Sequence, residues 1–136
     1  MKAEPVVLFL CLHNSGRSVA ARVLLDHHAR GRVRVRSAGS EPAETINPAV
    51  AQILKERGLD PSREVPEALT DTLAREADVI VTMGCGDACP AYPGKRYVDW
   101  DLPDPAGQPV ERVRPIVEDI DRRVRALLAE LSGAPR

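Results

Sequence analysis

With 136 residues the chain is long enough for one domain with a full apolar core, expected over 1–136, and too short for two of ordinary size. Apolar residues make up 43%, charged residues 29% and the formal net charge is −1, which gives no reason to expect a nucleic acid or an anionic membrane as partner. No apolar run is long enough to span a bilayer and the N-terminus shows no secretory pattern, so the expected location is the cytoplasm.

The run Val6-Val7-Leu8-Phe9-Leu10 reads as a buried parallel strand. It leads directly into Cys11-Leu12-His13-Asn14-Ser15-Gly16-Arg17-Ser18, after which a helix with one apolar face is expected over Gly16 to Ala29, with Gly31 beyond it as a stop. A loop between a strand and a helix collects anions, because its successive N–H groups converge and the first N–H groups of the helix have no partner of their own. Arg17 adds a planar fork suited to a tetrahedral oxyanion. Cys11 at the base of that cradle is expected to ionise more readily than a free thiol, with Ser18 donating a hydrogen bond to its sulfur and Asn14 bracing the loop. Three plainer readings compete: an inert buried cysteine, a nucleotide-binding loop that lacks its Gly-x4-Gly-Lys frame, and a simple turn. The combination of cysteine, five residues and Arg-Ser at a strand–helix junction favours a nucleophile.

His27 and His28 fall at the end of the first helix and point in different directions, so they read as surface residues and not as a metal pair. The strict alternation of Arg32-Val33-Arg34-Val35-Arg36 predicts a half-exposed strand whose arginines protect a sheet edge. Ser37-Ala38-Gly39-Ser40 is expected to turn the chain back toward the first loop. Asn47-Pro48 opens a second helix, with asparagine as N-cap and Gly58 as the stop, and Thr70 caps a short helix through Ala77. Asp78 to Met83 is the next buried strand, and Tyr97 lies in a further short one. Apolar residues spaced by three and four from Val110 to Leu131 mark the longest helix, with Pro115 expected to kink it or to set its first turn apart. Alternating strands and helices predict an α/β fold with a single open, mostly parallel sheet of about four strands. Helices should cover both faces, with the site at the carboxyl ends of the strands.

Cys85 and Cys89 follow the buried strand in Gly84-Cys85-Gly86-Asp87-Ala88-Cys89-Pro90. With Cys11 they make an odd number, so reactive or metal-binding thiols are expected over a structural disulfide. A Cys-x3-Cys pair supplies two zinc ligands with no nearby pair to complete four, so no metal is expected. A redox role is favoured over zinc and over two inert thiols.

In Cys11-x5-Arg17-Ser18 after the first strand, the chain resembles the low-molecular-weight protein tyrosine phosphatase family, and more narrowly the arsenate reductases of that fold. Further matches are Ser37-Ala38-Gly39, Val81-Thr82-Met83 before the second cysteine, Cys89-Pro90, and Trp100 ahead of Asp104-Pro105-Ala106-Gly107. The resemblance implies that residues 11–18 bind the oxyanion, that Ser37 supports the loop, and that Asp104 is a mobile general acid, with Asp99 and Asp101 as fallbacks and a plain Asp-Pro turn as the alternative. It implies reduction of arsenate to arsenite by Cys11, with relay of the resulting disulfide through Cys85 and Cys89. An external thiol, thioredoxin or the mycothiol and mycoredoxin system, would then replace any bound cofactor, and the protein is expected to act as a monomer. Two departures stand out. The spacer between the second and third cysteines is short for a thioredoxin-coupled member, and Arg22 stands where some relatives hold potassium through a glutamate. The alternative activity is phosphotyrosine hydrolysis through a phosphocysteine. Against it, Asp104-Pro105 is followed by Ala106-Gly107 and no aromatic residue occurs from Gly39 to Val50. Weak phosphatase activity is expected beside the reductase. A non-catalytic oxyanion binder or redox sensor is the third possibility.

Overall fold

The computed structural model describes residues 4–83 and 94–131. In chain order the elements are β1 (Val6–Cys11), α1 (Arg17–Ala29), β2 (Arg34–Gly39), α2 (Pro48–Glu56), α3 (Asp71–Glu76), β3 (Val79–Thr82), β4 (Arg96–Asp99) and α4 (Val110–Leu131). The strands form one open sheet of order β2-β1-β3-β4, parallel at every pairing, so the strand order reverses direction at β1. That reversal opens a crevice beyond the carboxyl end of β1, where an α/β sheet has room for a ligand.

All six residues of β1 are buried, because the strand is covered on both faces. Val7 and Phe9 face one apolar cluster with α1, α2 and α4, whereas Leu8 and Leu10 face a second with Ile80, Ala77 and Leu73 of α3. Each fully buried Phe or Leu contributes about 1.5–3 kcal/mol, so the non-alternating pattern of β1 is itself a major source of stability. Asn47 caps α2 and Thr70 caps α3 with their side-chain oxygens, as expected from their positions.

Three local expectations are corrected. Ser37-Ala38-Gly39 continues β2 instead of turning, in register with Phe9, Leu10 and Cys11 of the longer β1. The hydrogen-bond ladder available along β1 overrides the turn preference of serine and glycine. Pro115 does not set a first turn apart: α4 runs from Val110 to Leu131 as one continuous helix with Pro115 on its exposed side. There the bond it removes is the one to the carbonyl of Glu111, which water can reach. His28, read as a surface residue, is half-buried, and its Nε2 lies 2.7 Å from Oδ1 of Asp121 in α4.

Asp121 is 7% exposed and also faces Arg57 at 3.6 Å and Arg125 at 3.3 Å. One carboxylate thus ties α1, the end of α2 and α4 together behind the sheet. Removing it would leave cationic groups facing a partly desolvated gap. Asp121→Ala is expected to cost about 2 kcal/mol of unfolding free energy, the range for a hydrogen bond to a charged group. Urea denaturation measures it, and a loss under about 0.5 kcal/mol would show that solvent screening has made the cluster inconsequential.

Candidate active site

The anion loop is shaped from outside. Glu41 N–H donates to the Leu12 carbonyl at 2.8 Å, Ala43 N–H to that of His13 at 2.9 Å, and Asn47 N–H to that of Ser15 at 2.7 Å. A planar trans peptide sends its C=O and the following N–H in opposite directions. Pinning these carbonyls outward therefore turns the N–H groups of His13, Asn14 and Gly16 to the concave side. The N–H groups of the first turn of α1 join them, since Gly16 precedes the helix without a side-chain cap. Gly39 supports the loop from beneath. A Cβ built there would lie 2.8 Å from Asn14 N, 2.8 Å from Leu12 O and 2.9 Å from His13 C, all backbone atoms.

Cys11 is 2% exposed at the base, with its Sγ 2.9 Å from Ser18 Oγ. Asn14 holds the Ser18 hydroxyl from the other side. Its Oδ1 accepts the N–H of Glu67 at 2.8 Å, which fixes the amide, and its Nδ2 donates to Ser18 Oγ at 2.7 Å. A Cys11 thiolate can only accept, so in the nucleophilic state the Ser18 hydroxyl donates to the sulfur while its oxygen accepts from Asn14. Asn14 holds this position with φ 47°, a left-handed conformation that asparagine tolerates better than most residues. The Asn14 side chain, expected to bond the backbone of its own loop, bonds the Ser18 hydroxyl and the backbone of a distant segment instead.

Arg17 is 7% exposed. Its Nη1 donates to the Leu102 carbonyl at 3.3 Å and its Nη2 lies 3.8 Å from Asp104 Oδ1. Asp104 Oδ1 also accepts the N–H of Ala106 at 3.0 Å. Cys11, His13, Ser15, Gly16, Arg17, Asn47, Asp104, Pro105 and Ala106 together line one small cavity of about 20 Å³. Of the candidate acids only Asp104 reaches it. Asp99 is tied to Thr82 Oγ1 at 2.6 Å, and Asp101 is exposed and absent from the lining. Trp100 roots the acid loop: its ring packs on Phe9 with centroids 5.7 Å apart, and its backbone N–H donates to Thr82 O at 2.9 Å.

Leu12 contributes its backbone. Ser37 sits apart from the cavity, lining a second one of about 270 Å³ with Arg22, Arg63, Glu64 and Glu67. Arg22 grips Glu64 through both carboxylate oxygens, and this hydrogen-bonded partner holds its guanidinium above the ordinary arginine range. Cys85 and Cys89 lie outside the described residues. Sequence reasoning missed Gly39, the segment 41–47 and Glu67 as loop supports. Ser37-Ala38-Gly39 carried a signal for the first; Glu67 acts through its backbone and leaves none.

A cysteine on the base of a loop of inward N–H groups, with an arginine across from an aspartate, defines a phosphatase-type oxyanion site on a parallel sheet. The chain belongs to the low molecular weight phosphotyrosine protein phosphatase family, whose family model matches residues 6–134. Within that family it is similar to an arsenate reductase from Halalkalibacterium halodurans (37% identical, covering 76% of each chain). It is similar also to a glutaredoxin arsenate reductase from Synechocystis (30% identical, 93% of this chain and 98% of that one). Among solved structures, a thioredoxin-dependent arsenate reductase from Corynebacterium glutamicum superimposes with a TM-score of 0.86 at 47% identity. That likeness covers 98% of this chain and 65% of the other, so the chain spans about two-thirds of its length.

The contact beneath the loop gives a direct test. Gly39→Ala must push backbone away from its new methyl group, at a cost of about 1–3 kcal/mol or more. The variant is expected to lose protection of Cys11 from alkylation by saturating phosphate, measured by peptide mass spectrometry. Full protection in a normally stable variant would remove Gly39 from the support of the loop.

Proposed function

We propose that this protein reduces arsenate to arsenite in the cytoplasm, as a thiol-dependent detoxifying enzyme. The observation that carries the reading is the convergence of Cys11, Arg17 and Asp104 on one small cavity lined by no phenylalanine, tyrosine or tryptophan among the described residues. The names of the relatives support the same substrate.

In this reading the Cys11 thiolate attacks arsenic while the N–H groups of residues 12–18 and the Arg17 fork hold the oxyanion. Asp104 protonates the departing oxygen, which leaves as water. Cys85 as thiolate then attacks the Cys11 sulfur. The electron pair of the S–As bond passes to arsenic, which departs as arsenite, and a Cys11–Cys85 disulfide remains. Cys89 attacks Cys85, freeing the Cys11 thiolate and leaving Cys85–Cys89, which an external dithiol reduces. The sheet favours this order of events. Met83 N–H donates to Leu10 O at 2.8 Å, so the chain leaves β3 beside Cys11, and Cys85 is the second residue after Met83.

Thioredoxin is the reductant we favour, on the likeness to the Corynebacterium enzyme. With a low-molecular-weight thiol such as mycothiol, that thiol would attack the Cys11 adduct and leave Cys85 and Cys89 dispensable. Arsenite production with each system, for wild type, Cys11→Ser, Cys85→Ser and Cys89→Ser, separates the routes. The expected outcome is turnover with thioredoxin that every one of the three variants abolishes. Activity of Cys85→Ser and Cys89→Ser with mycothiol would overturn the relay while keeping the reduction. Brisk hydrolysis of an aryl phosphate with no arsenite in any combination would replace the reductase reading with a phosphatase.

A further inference from the structure

Asp104 is 56% exposed at its side chain, and its hydrogen bond to Ala106 is internal to its own loop. Apart from the 3.8 Å contact of its Oδ1 with Arg17 Nη2, the acid's position comes from the backbone on either side of it. Upstream, Leu102 O is held by Arg17 Nη1 at 3.3 Å. Downstream, Pro105 O accepts a hydrogen bond from Asn47 Nδ2 at 3.3 Å. These two holds differ in kind. The Arg17 fork must also serve the oxyanion, so its grip on the acid loop competes with substrate; Asn47 Nδ2 is bonded to Pro105 O while its Oδ1 is taken by the cap of α2.

Asn47 does more than cap α2. Its Oδ1 accepts the N–H groups of Ala49 at 2.9 Å and Val50 at 3.1 Å, its own N–H donates to Ser15 O at 2.7 Å, and its Nδ2 reaches across to Pro105. The cap needs only the oxygen, which serine, threonine or aspartate would supply as well. The amide N–H is the extra capability, and here it is spent on the acid loop. Packing at the same point is close. A Cβ at Gly16 would lie 2.8 Å from Pro105 Cγ and 3.8 Å from Asn47 Cβ, so the proline ring rests directly on the anion loop.

We propose that Asn47 is a positioning residue for the general acid: by joining the helix start, the anion loop and the carbonyl next to Asp104, it keeps the acid loop seated over Cys11 throughout turnover. The inference rests on Asp104 as the acid of the proposed reduction. It makes the second helix part of the catalytic apparatus through a bond that the capping role does not require.

Asn47→Ser and Asn47→Asp both keep a capping oxygen and the backbone N–H while removing the Nδ2 donor. Each is expected to melt within about 2 °C of wild type, since loss of a cap would cost more than that. For arsenite formation by Asn47→Ser, kcat should fall about tenfold or more with KM for arsenate within about twofold, as misplacement of an acid acts on the chemical step, whereas the carboxylate of Asn47→Asp beside the cavity raises KM as well. In an Asp104→Asn background, Asn47→Ser should cost less than about twofold further, because the two residues act as a unit. A readout that needs no turnover is iodoacetamide alkylation of Cys11 in a Cys85→Ser, Cys89→Ser background, which should quicken about threefold as the loop lifts. Unchanged kcat and alkylation in both variants would overturn the proposal, as would a loss that simply adds to that of Asp104→Asn. If wild type forms no arsenite while alkylation still quickens, the reduction fails and the seating role stands.

Discussion

The whole site depends on one constraint: a loop of backbone carbonyls must be turned outward so that its N–H groups face inward. Nothing within residues 11–18 enforces this alone. The bonds from Glu41, Ala43 and Asn47 hold the carbonyls, Gly39 closes the underside, and Glu67 fixes the Asn14 amide. Each is supplied by chain far away in sequence and brought near by the parallel pairing of β1 with β2, which sets Gly39 opposite Cys11. The preorganised dipoles that stabilise a developing oxyanion are thus a consequence of sheet register.

The same logic governs direction in the Asn14–Ser18–Cys11 chain. A serine beside a sulfur can donate or accept, and once the sulfur is a thiolate only donation is left. Because Asn14 is locked by accepting from Glu67, its NH2 group faces Ser18 and holds the hydroxyl beside Cys11, where it can donate to the thiolate. A polar network this deep is favourable only when every member is satisfied, and this one is. The segment from Leu59 to Leu69, which has little regular structure, matters here for a single backbone N–H.

Much of this was legible beforehand. The apolar run of β1, the caps Asn47 and Thr70, and the residues of the anion loop all follow from local chemistry: burial on two faces, oxygens that cap, a cysteine at a strand end. What was hidden depends on partners. The continuation of β2 through Gly39 is a property of its pairing with β1, and glycine and serine by themselves suggest a turn. His28 looked like a surface residue because its partner Asp121 is 93 residues away. Glu67 contributes an N–H that any residue but proline would carry, so no side-chain pattern could reveal it. Asn47 showed half its function, since a cap is a local motif and a bond to residue 105 is not.

The division of labour across the sheet explains how one fold can serve either phosphoryl transfer or arsenate reduction. Everything needed to bind a tetrahedral oxyanion and attack its centre is fixed by β1, α1 and their supports. What distinguishes the outcomes is the neighbourhood of the cavity: an aromatic wall would favour an aryl ester, and further thiols would carry electrons away. Here the wall is Asn47, Pro105 and Ala106, small or polar, and the chain leaving β3 next to Cys11 leads to Cys85 and Cys89. A water-driven second step needs only space above the adduct, whereas a thiol-driven one needs a sulfur in line with the Cys11–arsenic bond. Pro105 seats the acid loop close against Gly16, over the small cavity that Cys11 shares with Asp104, so the space a water would need above the adduct is the quantity on which the two outcomes turn.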